Sequence, residues 1–120
     1  MITQHTIVAT VPTAGTGVTA DSDMITGEIL KVAMNVTGNS MDINLDSLGE
    51  QKAQAIIDYT GNTDSTFYPR TPMEDNTGTD VTYDGTNEIY TPFVVYGKLR
   101  LTLASAAAEE TVTMTITYRT

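Results

Sequence analysis

The feature that most constrains this fold is the alternation of apolar and polar side chains in the last thirty residues. In residues 90–103 the side chains expected to be buried lie at odd-numbered positions, and in residues 111–118 they lie at even-numbered positions. Successive side chains of a β-strand point to opposite faces, so each stretch has one apolar and one wettable face. A slip of one residue would expose the apolar row, which fixes the register. The pattern predicts two long antiparallel strands joined by a loop over residues 104–110.

Shorter stretches with the same period predict further strands. Residues 26–37 alternate, and the turn Thr37-Gly38-Asn39-Ser40 joins them to a strand at residues 41–45. In the first of these strands we expect an apolar face of Leu30, Val32, Met34 and Val36 opposite Ile29, Lys31, Ala33 and Asn35. Residues 4–11 and 55–59 are also predicted strands, whereas residues 48–54 fit either a short helical turn or a loop.

The composition supports a fold made of strands alone. Threonine makes up about a fifth of the chain, and β-branched residues suit a pleated surface. No stretch has convincing helical spacing over three turns. Short strands separated by turns indicate an antiparallel sandwich or barrel, and we predict a single-domain β-sandwich of roughly seven to nine strands over residues 1–120.

The charge and the residue types present restrict the possible partners. Six Lys and Arg against fifteen Asp and Glu give a formal net charge of −9, which disfavours binding to nucleic acid or to an anionic membrane. Without cysteine, disulfides, thiol catalysis and cysteine zinc sites are excluded. The first residues lack a basic, apolar leader, so we expect synthesis in the cytoplasm without a signal peptide.

The sequence predicts no catalytic site, no metal site and no cofactor. His5 is the only histidine, so a histidine-based triad or a multi-histidine site is not expected. Residues 42–46 resemble the start of an EF-hand, but Ser47 and Ala53 stand where such a loop needs glycine and glutamate. A surface cation in the acidic loops stays open as an alternative, near Glu74, Asp75 and Asp80 or near Asp84 and Glu88.

The main oddity of the sequence is the long stretch at residues 61–88, which has too few apolar residues to form strands of its own. Loops of this length in compact domains are usually functional or are ordered by a partner. Aromatic, arginine and proline residues there suit docking on another surface, and the predicted contacts are Phe67, Tyr68, Pro69, Arg70 and Pro72. The alternative is that the aromatic side chains only cover the domain's own sheet.

A second predicted contact group lies in the strand region after residue 90. Lys98 and Arg100 share one face beside Tyr96, opposite the leucine row. These cations either meet the acidic loops of a neighbouring copy or only keep the sheet soluble and discourage edge pairing.

Several segments, taken in order, resemble small all-β, jelly-roll-like phage virion proteins of the head decoration or cement type. They are residues 26–32, Phe67-Tyr68-Pro69-Arg70, residues 92–101 and residues 112–118. The resemblance implies a non-enzymatic structural protein in the virion that binds the major capsid protein or another virion protein. It also implies a symmetric homo-oligomer, with a trimer favoured, and it transfers no active-site residue.

Other functions stay open at this point. The protein could belong to the neck, the tail or a fibre rather than to the head. A carbohydrate- or receptor-binding β-sandwich would be favoured by aromatic residues clustered on one exposed face. A small hydrolase would need His5 and carboxylates to converge in a cleft.

Overall fold

The computed structural model of the chain describes residues 1–49, 51 and 53–120. In this part of the chain there are eleven strands and no helix. The strands are β1 (Ile2–Thr10), β2 (Val18–Asp21), β3 (Ile25–Thr37), β4 (Met41–Ser47), β5 (Gln54–Gly61), β6 (Ser65–Phe67), β7 (Arg70–Pro72), β8 (Tyr90–Pro92), β9 (Val94–Gly97), β10 (Leu99–Ala104) and β11 (Thr111–Arg119). Among these residues no helix is long and apolar enough to cross a membrane.

Two antiparallel sheets enclose one hydrophobic core. Sheet A has the order β1-β11-β3, and both β6 and β9 pair along the far side of β3. Sheet B has the order β2-β10-β4-β5. All strand pairs are antiparallel, and buried side chains from both sheets form a single cluster. The predicted all-β, antiparallel sandwich is therefore confirmed, although the described chain has eleven strands where seven to nine were expected.

The apolar faces predicted near the C-terminal end of the sequence do form the centre of the core. Leu99, Leu101 and Leu103 are buried on β10, while Lys98 is exposed. On β11, Val112, Met114 and Ile116 are buried, and threonines alternate with them. Period-two alternation thus identified which side chains are removed from water.

The same stretches do not form the predicted pair of long strands. Residues 90–103 break into β8, β9 and β10, which belong to three different sheets. β10 pairs with β2 and β4, whereas β11 pairs with β1 and β3, so residues 105–110 cross from sheet B to sheet A. The expected pairing of the two stretches with each other is wrong, because alternation defines a buried face and not a partner.

Two β-bulges explain where the predicted faces fail. Along β11, the partner changes from Lys31 to Ile29, so Leu30 is an extra residue in β3. The bulge switches the parity, and Ile29 is fully buried although the alternation predicted it on the polar face. Ile56 is the extra residue of a second bulge, which lets it share the core with its neighbour Ile57.

Further differences concern three short strands, one buried side chain and the residues that precede β5. The four residues of β2 were not predicted to form a strand. Thr117 is buried next to the β3 bulge although it was placed on the wet face. In residues 48–54, Gln54 opens β5, while Glu50 and Lys52 lie outside the described residues. Residues 61–88 contain two short strands, β6 and β7, where none was expected.

Candidate binding surface

Residues 70–92 form an arm whose base is the two-stranded sheet of β7 and β8. Beyond this base, three backbone hydrogen bonds close a ring. Met73 N–H donates to the Ile89 carbonyl at 2.7 Å, Ile89 N–H to the Val81 carbonyl at 3.0 Å, and Val81 N–H to the Met73 carbonyl at 2.8 Å. The three residues are eight positions apart, so the ring divides the arm into two loops of equal length.

The first loop, residues 74–80, is organised by one carboxylate. Asp75 accepts the backbone N–H of Thr77 at 2.8 Å, the Thr77 hydroxyl at 2.7 Å and the backbone N–H of Thr79 at 3.1 Å. Gly78 has a φ of +84°, in the left-handed region that glycine adopts without strain. An isolated antiparallel β-bridge between the backbones of Glu74 and Asp80 closes the loop.

The second loop, residues 82–88, uses the same device. Asp84 accepts the backbone N–H groups of Thr86 at 2.9 Å and of Asn87 at 2.6 Å, and also the Asn87 side-chain amide at 2.6 Å. An isolated antiparallel β-bridge between the backbones of Thr82 and Glu88 closes this loop as well. Each loop is thus a turn held by an aspartate that bonds the backbone following it.

These bonds lower the pKa of both aspartates, since they stabilise the charged form. For Asp75 the largest cause is the hydrogen bond from the Thr77 hydroxyl, and for Asp84 it is the backbone N–H of Asn87. Their carboxylates therefore serve to order the loops. In the described part of the chain, no three His, Asp or Glu side chains are grouped so that they could hold a metal ion.

Although the arm is ordered, it presents large side chains to solvent. Tyr83 on the second loop is 71% exposed, and Tyr90 at the base and Met73 in the ring are also exposed. Tyrosine combines apolar area with a polar hydroxyl and loses little conformational entropy on contact. The arm can therefore offer a preformed contact surface without a rearrangement of its backbone.

The predicted contact residues at the root of the arm divide into covered and exposed ones. Phe67 packs on the core and meets the Tyr59 ring edge-on, with centroids 5.7 Å apart. Pro69 is buried and Pro72 half-buried, so these residues cover the domain's own sheet. Tyr68 and Arg70 are exposed, and the Arg70 guanidinium donates to the Pro69 carbonyl at 2.7 Å.

The second predicted group is divided by the break between β9 and β10. Tyr96 is 64% exposed on β9, and Lys98 lies between the two strands. Both line a shallow, mainly apolar depression, together with Met24, Leu48, Gly49 and Gly97. Met24 and Leu48 are exposed apolar residues that the sequence analysis missed, since nothing in their local pattern sets them apart from core residues.

Arg100 does not line this depression and lies on the outer face of sheet B. Its guanidinium donates two hydrogen bonds to the Asp21 carboxylate, at 2.7 and 3.0 Å. This contact lowers the pKa of Asp21 and raises that of Arg100. The structure thus pairs Arg100 within its own chain and places it in a different sheet from Tyr96.

Most of the candidate residues lie on one side of the molecule. β6 and β9 both pair with β3, and the arm leaves the chain between them. Phe67, Tyr68, Pro69, Arg70, Pro72 and Tyr96 therefore lie at or beyond the β3 edge of sheet A. No protein-family model, curated protein or solved structure matches the chain in the three comparisons made.

Proposed function

We propose that this protein is a non-enzymatic structural protein that docks on a larger protein scaffold through its arm. The observation that carries the proposal is that the arm is ordered by its own hydrogen bonds while Tyr83 and Tyr90 stay exposed. A loop that is already ordered loses less conformational entropy on binding than a mobile one. Exposed tyrosine is also among the side chains that contribute most at protein interfaces.

The specific form of the proposal is a decoration or cement protein of a phage head, with the major capsid protein as scaffold and the virion as location. It rests on the resemblance of residues 26–32, 67–70, 92–101 and 112–118 to such proteins. The acidic, cysteine-free, strand-built chain is compatible with that role. A neck, tail or fibre position would use the same docking surface on a different scaffold.

The arm can be removed without cutting either main sheet. Met73 and Ile89 are joined by a 2.7 Å backbone hydrogen bond, so a two-residue Asn-Gly turn can replace residues 74–88. We expect this deletion to abolish co-sedimentation with capsid particles assembled without the protein. The melting temperature should change by no more than a few degrees, since the core cluster contains no residue of the deleted segment.

Point substitutions test how much the arm's side chains contribute to binding while its backbone stays in place. Tyr83→Ala combined with Tyr90→Ala should weaken binding by at least tenfold, while Tyr96→Ala serves as a matched exposed tyrosine outside the arm. If the deletion variant is folded and still binds particles like the wild type, docking through the arm is wrong. If only Tyr96→Ala weakens binding, the contact lies on the β9 depression instead.

A further inference from the structure

Strand β1 forms the free edge of sheet A. All nine of its residues pair with β11 in an unbroken register from Ile2 opposite Arg119 to Thr10 opposite Thr111. Just beyond its two ends, Thr120 N–H donates to the Met1 carbonyl at 3.0 Å and Val11 N–H to the Glu110 carbonyl at 2.9 Å. Odd-numbered residues therefore face β11 with their N–H and carbonyl groups.

In an antiparallel ladder the backbone N–H and carbonyl groups of successive residues point in opposite directions, so those of the even-numbered residues point away from β11. The N–H and carbonyl groups of Ile2, Gln4, Thr6, Val8 and Thr10 point away from the sheet. This edge thus offers a row of five donors and five acceptors. No other strand of the described chain pairs with it.

The other edges of the two sheets are protected in ways that β1 lacks. β2 is four residues long and ends at Asp21, which is bound to Arg100. β5 carries Asp58, a bulge and a terminal glycine, while β6 and β9 are only three and four residues long. Charges, bulges and short length are the usual devices against edge-to-edge pairing. β1 is long and regular, and it contains no Asp, Glu, Lys, Arg, Pro or Gly.

The distribution of charge allows a second copy of this chain to occupy the edge. Each copy has a formal net charge of −9, so most approaches between copies bring acidic side chains together. Neither β1 nor its neighbour β11 contains an acidic residue. Two copies can meet at β1 without placing carboxylates opposite each other.

We infer that β1 pairs antiparallel with β1 of a second copy, so that sheet A continues across both. The exposed apolar side chains select the register. Ile2 is 64% exposed and Val8 is 56% exposed, and both lie on the outer face. Placing Ile2 opposite Val8 of the second copy, and the reverse, covers both side chains and puts His5 on the twofold axis.

This contact is self-complementary and closes with two subunits. It therefore gives a dimer, or an assembly built from dimers, in place of the trimer that the resemblance favours. The dimer is independent of docking through the arm, because it forms without the scaffold and uses the opposite edge of sheet A. Failure of either proposal leaves the other testable.

The first test removes one outward-facing donor. In Thr6→Pro the lost N–H points away from β11, so the ladder within the chain stays intact. Thr19→Pro is the matched control. Because Ser22 N–H donates to the Leu99 carbonyl, Thr19 N–H also points outward, but at the β2 edge. Sedimentation velocity over a range of concentrations should show dimers for the wild type and Thr19→Pro, and monomers for Thr6→Pro.

The second test uses the absence of cysteine from the chain. In the inferred register the two residues at position 5 form a non-hydrogen-bonded pair, with Cβ atoms about 5 Å apart, a spacing from which a disulfide can close with a small adjustment. Under mild oxidation His5→Cys should give covalent dimers rapidly. Thr113→Cys, at the middle of the outer face of sheet A, should give far fewer.

Several results would overturn the inference. One is a wild-type protein that is monomeric at every concentration, and another is a folded Thr6→Pro that dimerises as the wild type does. If Thr6→Pro fails to fold, the crosslinking decides. His5→Cys dimers well above the Thr113→Cys level then support the β1 contact, and equal levels overturn it.

Discussion

The body of the sandwich and the arm are held together by different forces. In the body, aliphatic side chains such as Leu101 and Ile116 are fully buried between two sheets. In the arm, residues 74–88 contribute nothing to that core, and the carboxylates of Asp75 and Asp84 organise the turns instead. Burial resists changes of charge and salt, whereas hydrogen bonds to an exposed carboxylate depend on its ionisation.

This difference teaches that order and burial can be separated within one small protein. The arm has a defined backbone although most of its residues are exposed. Substitutions on a surface of this kind should have little effect on the fold, because the side chains they replace are not part of the core. The body has the opposite property, since its side chains determine whether the chain folds.

The largest effect is expected from truncation in the body. Ile116→Ala removes a fully buried side chain from the middle strand of sheet A and should lower the free energy of unfolding by about 2–5 kcal/mol. Thr113→Ala on the same strand should cost much less, because its side chain lies on the outer face. Urea unfolding of both variants measures the difference, and equal losses would contradict the assigned faces.

A smaller effect is expected where a carboxylate joins two parts of the body. Glu110 is buried, and its side chain accepts the backbone N–H groups of Asn39 and Ala107. Glu110→Ala leaves these donors without their charged acceptor and should lower the free energy of unfolding by about 1.5–3 kcal/mol. Glu109→Gln, at the exposed neighbouring position, is the control in the same urea titration. A loss no greater than that of Glu109→Gln would show that the two bonds do not stabilise the fold.

The smallest effect is expected in the arm, and it should be local. Because the folded-state pKa values of Asp75 and Asp84 lie below the ordinary 3.8, their bonds stabilise the loops fully above that pH. That stabilisation is lost as the pH falls through the lowered values. The backbone amide resonances of Thr79 and Asn87 should therefore move toward unfolded positions in acid, and Asp75→Asn should remove the pH response of Thr79. If Met114 of β11 moves together with them, the arm is not independent of the body.

The sequence was sufficient to predict the faces of most long strands, since burial of alternate residues leaves a direct pattern. Met41, Ile43 and Leu45 show this on β4. The pattern did not reveal the bulges at Leu30 and Ile56. Each extra residue is itself apolar, so in the sequence it cannot be told apart from an ordinary strand residue. Nor did it show that β10 and β11 lie in different sheets, since both have the same period.

The candidate surface was predicted less completely. The long segment was recognised from its length and its proline and glycine residues, and Tyr68, Arg70 and Tyr96 are exposed as a contact residue must be. The order inside the arm was missed, because it depends on hydrogen bonds from backbone groups to Asp75 and Asp84 rather than on apolar pattern. The signal that could have shown it is an aspartate followed within three residues by glycine and threonine, in both halves of the arm.

The position of β11 also governs when the body can form during synthesis. Residues 111–119 lie between β1 and β3, and they are synthesised after both of these strands. Until they emerge, β1 lacks the strand it pairs with and β3 is unpaired along one side, so the apolar faces of Ile7 and Val32 are not fully enclosed. Pairing across more than a hundred residues is slow, because loop closure must precede any gain from contact. Sheet A of this sandwich therefore cannot be completed before residues 111–119 have emerged.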